Sequence, residues 1–179
     1  METTSLWKCL FLVLCSQTCA LGCRWIANGY NIVSKDALSL IKKMGGETVM
    51  DTGDVGFPQP LYNRVRKMST EHKTAFMNET LHHLLRLYAE NLDSVTWDRS
   101  LLNKWIAVIH RQARELRSCE ASQKRDENLQ LYFKKLNENI LKKAKYSASA
   151  WEIVRTHTFQ HLQELERLAG GMRKEMQTV

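Results

Sequence analysis

Only two prolines occur in the 179 residues, Pro58 and Pro60, and nothing from Thr70 onward interrupts the backbone donors a helix needs. Proline removes a helix-internal hydrogen bond and clashes with the preceding turn, so a long proline-free stretch leaves extended helices open. The periodicity of apolar residues then decides that they form. Ala37, Leu38, Ile41 and Met44 share one face of a first helix that Ser34 is placed to cap and that Gly45-Gly46 ends. A Gly-, Asp-, Thr- and Pro-rich connection runs from Gly45 to Pro60, and Leu61 to Met68 suits a short extra helix.

Four stronger helices are expected beyond it. Thr70 to Asn91 aligns Phe76, Met77, Leu81, Leu84, Leu85 and Tyr88, and Thr96 to Cys119 aligns Leu101, Leu102, Trp105, Ile109 and Leu116. Asp126 to Lys143 carries Leu129, Phe133, Leu136 and Ile140. Ser149-Ala150-Trp151-Glu152 has the form of a capping box. It opens a last helix with the stripe Trp151, Val154, Thr158, Leu162, Leu165 and Ala169, expected to end at Gly170-Gly171 before a polar tail. The expectation is an all-α bundle of five main helices plus one short one. Short later links favour antiparallel neighbours, while the long first link lets the first two main helices run the same way. Up-up-down-down order of this kind occurs in long-chain helical cytokine bundles, although topology alone does not set function.

The first 22 residues read differently. Leu10-Phe11-Leu12-Val13-Leu14 follows a single base, Lys8, and leads to Ala20-Leu21-Gly22, small residues in the places a signal peptidase requires. The apolar run is shorter than the roughly 20 residues a membrane span needs, so export with release is expected rather than membrane insertion. Residues 1–22 form the signal peptide, with cleavage after Ala20 as an alternative, and 23–179 the mature domain. A bacterial lipoprotein leader fits poorly, because Ala20 stands where an aliphatic residue belongs. Removal of the leader takes Cys9, Cys15 and Cys19 with it and leaves Cys23 and Cys119. Two cysteines in an exported chain suit one disulfide, worth roughly 4–5 kcal/mol in the chain-entropy account. Free thiols and pairing between chains are the alternatives.

Chemistry of the catalytic kind is hard to assemble from this sequence. His157 and His161 stand four apart, but the intervening Thr158-Phe159-Gln160 lacks the glutamate of a zinc-hydrolase helix and no third ligand is evident. They read as two partly exposed histidines on a bundle helix. Neither a nucleophile elbow nor a phosphate loop occurs. No enzyme and no cofactor or metal is expected. The formal charge of +7 favours acidic partners. Arg64-x-Arg66-Lys67 and Lys142-Lys143-x-Lys145 could meet sulfated glycans, although such runs are usually solvated helix faces; nucleic acid is not expected. Asn78-Glu79-Thr80 is a glycosylation sequon lying inside a predicted helix.

Several of these segments together resemble type I interferons, and the bony-fish branch in particular. Ser149-Ala150-Trp151-Glu152-Ile153-Val154-Arg155 is similar to the family's last-helix signature, and Asp54-Val55-Gly56-Phe57-Pro58-Gln59 to its long-loop motif. Cys23-Arg24-Trp25 and Ser39-Leu40-Ile41-Lys42-Lys43-Met44-Gly45-Gly46 resemble the fish members. Cys23 and Cys119 match one of the family's two bridges. Ser149 stands where mammalian members have a cysteine, and its loop partner near Thr48 is missing too, as in the two-cysteine fish group. Phe57, Pro58 and Pro60 must then hold the long loop.

The resemblance implies a secreted, monomeric antiviral cytokine that joins the two chains of a heterodimeric class II receptor and thereby activates Janus kinases. The tighter receptor would meet Arg155, Thr156, Phe159 and Gln160 on the last helix and Val49 and Thr52 in the loop. Thr52 and Gln160 replace the arginines of better-known members. Phe159 lies off the Trp151–Leu165 stripe, which makes it either a surface anchor or a residue packed under the long loop. The competing functions are another helical cytokine of the same receptor class, or a secreted cationic bundle that binds glycans or membranes directly and weakens with salt.

Overall fold

The computed structural model describes residues 25–46, 53–117 and 125–177. A helical turn at 25–28 leads into α1 (Tyr30–Lys43), followed by α2 (Gln59–Val65), α3 (Thr70–Leu87), α4 (Arg99–Arg117), α5 (Glu127–Lys135) and α6 (Ala148–Gln177). A π-helical stretch, Leu136–Lys142, continues α5 directly. Among the described residues there is no β-strand, and no helix is long and apolar enough to cross a membrane.

The helix directions follow from which ends touch. The Asp98 amide donates to the Met44 carbonyl at 3.0 Å, and farther along Asp36, Ser39 and Leu40 lie beside Lys104, Ala107 and Val108, so α1 and α4 are antiparallel. Thr74 meets Met172 while Tyr88 meets Thr158, which makes α3 and α6 antiparallel. α3 runs into α4 through a short link, and Arg155 near the start of α6 reaches the carbonyls at the end of α1. α1 and α3 therefore point one way and α4 and α6 the other. This is the up-up-down-down order expected from the long first connection, with α5 as a fifth helix laid against α3 and α6.

The predicted apolar faces are the buried ones. Trp151, Val154, Thr158, Leu162, Leu165 and Ala169 are all essentially inaccessible, as are Ala37, Ile41, Met77, Leu81, Leu84, Leu102, Trp105, Ile109, Leu129 and Leu136. Burying each large aliphatic side chain contributes about 1.5–3 kcal/mol. At one end of the bundle Tyr88, Trp97, Trp105 and Trp151 form an aromatic cluster with ring centroids 4.5–6.0 Å apart. Two caps agree with local chemistry: Ser69 accepts from the His72 amide, and Asp126 accepts from the amides of Asn128 and Leu129.

Four helix boundaries differ from expectation. Ser34 does not cap α1, which begins at Tyr30; it is buried inside the helix because the chain already turns helically from Trp25. Ser149 does not cap α6 either. Ser147 does, with its hydroxyl accepting from the Ala150 amide and its carbonyl from Trp151. α4 begins only at Arg99, its first turn held by the Asp98 carboxylate accepting from the Leu101 amide. The last helix also runs straight through Gly170-Gly171 to Gln177. Two glycines cost that helix roughly 1 kcal/mol each relative to alanine, but Leu168, Ala169 and Met172 are buried around them and outweigh it.

Candidate functional site

The face that carries the last-helix and long-loop motifs is built around α6. Phe57 holds the loop down: its ring stacks on Tyr62 at 5.5 Å and lies 4.9 Å from the His161 ring and 6.4 Å from that of His157. Val55 is buried beside it. Gly53 has φ +63°, a backbone conformation that L side chains avoid, and an added Cβ would stand 2.8 Å from Ile140. Lys143 closes the loop from outside with a 2.9 Å ion pair to Asp54.

Beneath the loop lie the two histidines. They are not partly exposed, as their sequence context suggested, but fully buried. Tyr62 and Tyr132 are hydrogen-bonded to Nδ1 of His161 and His157 at 2.6 and 2.8 Å. Burial holds His161 well below the usual histidine range, with His157 and His83 adding repulsion, and it raises both tyrosine hydroxyls. These contacts join residues 99 and 25 positions apart. Spacing along the sequence carried no signal for either.

Arg155 and Thr156, which the family resemblance placed at a receptor, are buried at 2% and 6% exposure. Arg155 works inward. Its guanidinium donates to the Ile41 carbonyl at 3.0 Å, to the Gly46 carbonyl at 2.5 Å and to the Glu152 carboxylate at 2.6–2.8 Å. It therefore ties the end of α1 to the start of α6, and Glu152 is held in turn by the Trp97 indole N–H at 2.5 Å. Gly45 is where this assembly is tightest, because an added Cβ would lie 2.6 Å from Arg155 Nε and 2.9 Å from Trp97 Nε1. Gly45→Ala is expected to lose about 1–3 kcal/mol of stability through overpacking, measurable as a shift in urea midpoint at unchanged slope.

Phe159 and Gln160 are half-buried on the same helix. Phe159 packs at the margin of the core, with Lys42 Nζ of α1 4.8 Å from its ring centroid. Of the six residues named from the resemblance, the structure thus brings four onto one segment of α6, two buried and two half-buried. Val49 and Thr52 lie outside the described residues, as do Cys23 and Cys119. Asn78 of the sequon is 2% exposed within α3, so the folded chain has no room for a glycan there. Among the described residues no group of three or more metal-ligating side chains occurs.

The comparisons with known proteins decide the lineage. The interferon alpha/beta domain family matches residues 28–172. Interferon a3 of Oncorhynchus mykiss is 38% identical over 174 residues, covering 96% of this chain and 99% of that protein. The chain is a type I interferon. The structure of zebrafish interferon 1 superimposes with a TM-score of 0.75 at 31% identity, over 84% of this chain and 99% of that one. Interferon alpha-2 of Equus caballus is 29% identical over 84% of this chain and 89% of that protein. The trout interferon thus resembles this one more than the horse protein does, in line with the fish-like segments of the sequence. Interferons are cytokines, so the surface around α6 is best treated as a site for binding proteins rather than for transforming a substrate.

Proposed function

We propose that this interferon leaves the cell after removal of residues 1–22 and acts as an antiviral signal by joining two chains of a class II cytokine receptor, which brings their Janus kinases together. The tighter contact is made by the outward side of α6 and the neighbouring loop, with Phe159 as its aromatic anchor, Gln160 beside it, and Val49 and Thr52 supplied by the loop. Arg155 and Thr156 hold that face from below. The supporting observation is the placement of Phe159, half-buried next to Lys42 and outside the helix's apolar stripe. Aromatic side chains so placed are typical of the few residues that dominate a protein interface.

A bridge from Cys23 to Cys119 belongs to the same reading. The antiparallel pairing of α1 with α4 sets their described neighbours, Trp25 and Arg117, at the same end of the bundle, which favours an internal bond over pairing between chains.

The test applies the purified protein to fish cells and follows transcription of antiviral genes, with and without the receptor chains. Induction at low concentration that disappears on receptor knockout is the expected result; silence, or an effect that survives knockout, refutes it. Phe159→Ala is expected to weaken receptor binding at least tenfold, equivalent to about 1.4 kcal/mol, and to leave helical content and melting temperature unchanged. Equal loss of binding and stability would make Phe159 a core residue.

A further inference from the structure

Half of the six cations in the basic runs conspicuous in the sequence are paired with carboxylates in the fold. Arg64 pairs with Asp126 at 2.6 Å, Arg66 with Glu164, and Lys143 with Asp54. The excess positive charge is displayed elsewhere. On α4 the exposed positions are Arg99, Ser100, Asn103, Lys104, Ala107, His110, Arg111, Arg114 and Arg117, which at 100° per residue fall on one face of the helix. That face holds five permanent cations and a histidine; no carboxylate stands on it, although Asp36 of α1 lies beside Lys104 at its edge. The other long helices differ. Asp36 interrupts Lys35, Lys42 and Lys43 on α1, Glu71 stands with Arg86 on α3, Glu127 and Glu138 with the lysines of α5 and its π continuation, and Glu175 with Arg167 and Lys174 on α6. Arg114 has a neighbouring acid, Glu115, at 3.6 Å, but that residue sits on the flank rather than the face. From Lys104 to Arg117 the stripe is about 20 Å long at 1.5 Å per residue. Ala107 at its centre leaves the backbone approachable.

We propose that the exposed face of α4 binds sulfated glycosaminoglycan chains of the cell surface or matrix. The match is one of charge and shape. A linear polysulfate presents repeated anions along a rod, and a row of cations running diagonally across the face, most of them guanidinium groups, can meet them with paired N–H donors, which a mixed-charge face repels in part. Such a row suits one extended chain wound across the helix better than a bilayer, which calls for apolar side chains beside the basic ones; this face has none larger than Ala107. Nor does it carry a Phe, Tyr or Trp on which a nucleic-acid base could stack. The site lies on the opposite side of the bundle core from the α6 residues named above. A bound glycan would therefore retain the cytokine near its source without occupying the Phe159 face. The proposal rests on the cytokine reaching the cell exterior, but its test does not depend on signalling.

The experiment is equilibrium binding of the purified protein to size-defined heparin oligosaccharides across a salt series, repeated with desulfated oligosaccharide, single-stranded DNA of equal charge and phosphatidylserine vesicles. The parent is expected to bind the sulfated oligosaccharide and to lose affinity steeply with salt. The exposed double substitution Arg111→Ser/Arg114→Ser should weaken that binding about tenfold at physiological salt. It should also flatten the logarithmic salt slope by roughly 0.7 per cation removed, the value for single-stranded polyanions. Ala107→Glu, which places one carboxylate mid-stripe, should act in the same direction, and Lys142→Ser/Lys145→Ser should have little effect. Circular dichroism of each variant establishes that it is folded. Binding unchanged by the α4 substitutions, or lost equally in the Lys142/Lys145 pair, overturns the proposal, as does equal or tighter binding of DNA or vesicles. Antiviral gene induction by the α4 variants at saturating dose reports separately on the receptor reading.

Discussion

Arg155→Ala is expected to lower stability by about 3–5 kcal/mol, the usual consequence of removing one member of a buried charged cluster. For a chain of this size each kcal/mol moves the melting temperature by roughly 2–4 °C, so a fall on the order of 10 °C should appear in a thermal scan. The reason is geometric. Arg155 is 2% exposed and supplies donors to two carbonyls at the end of α1, Ile41 and Gly46, while also meeting Glu152. Helix ends leave backbone carbonyls without partners, and here a side chain more than a hundred residues away satisfies them. Alanine would leave those acceptors and the Glu152 carboxylate unmatched. Arg155→Lys should recover only part of the loss, since one ammonium cannot reproduce the planar fork that addresses three acceptors. Receptor binding should fall together with stability in both variants. A variant that melts within a degree of the parent yet loses receptor binding would show that Arg155 leaves its buried position to make the contact directly.

The same residue marks where sequence reading gave way. The helices and their buried stripes were legible because 3.6-residue periodicity and the placement of Pro58, Pro60 and Asp126 are local properties. The stop at Gly170-Gly171 failed because it weighed a local propensity that tertiary contact overrode: Met172 packs against Thr74 on α3, and α6 continues to reach it. The π stretch Leu136–Lys142 has no periodic signature strong enough to distinguish it from α-helix. The turn after it contains Lys145 and Tyr146 at φ +50° and +56°, two non-glycine residues in the left-handed region that sequence would not nominate. Partnership across the fold was equally hidden. The motif Ser-Ala-Trp-Glu-x-x-Arg pointed to the last helix through family resemblance, but not to the inward aim of its arginine. The basic runs at 64–67 and 142–145 read as solvated helix faces that could meet glycans, and nothing in their sequence showed that Arg64, Arg66 and Lys143 pair with carboxylates from other elements.

Acid should be unusually destabilising for this bundle, and the cause is the buried imidazoles rather than the carboxylates. His161 lies walled by Phe57, Phe133, Tyr62 and Tyr132, with ring centroids 4.9–5.7 Å away. The nearest acid on its own helix, Glu164, is already engaged by Arg66, Arg167 and Gln59. Burial therefore keeps His161 neutral far below its ordinary range. His83, stacked on Phe133 at 4.8 Å, is pushed down to about 4, chiefly by burial and then by Arg86. In the unfolded chain both titrate near 6.5. Below that pH the unfolded state binds more protons than the native one, so stability falls as pH falls, by up to about 1.4 kcal/mol per pH unit for the fully buried His161 and by less for His83, which solvent partly screens and which has Glu79 3.7 Å away. The window opens near pH 6.5 and, for His83, closes near pH 4. Denaturant titrations between pH 7.5 and 5 should thus show a plateau down to about 6.5 and then a loss of roughly 2–4 kcal/mol by pH 5. His161→Gln retains a polar group within reach of Tyr62 but has no proton to gain. It should lower stability at pH 7.5 while flattening the acid slope, so that the two curves converge on acidification. Parallel curves would place the acid sensitivity elsewhere, whereas convergence ties it to an imidazole that fastens the long loop through Phe57.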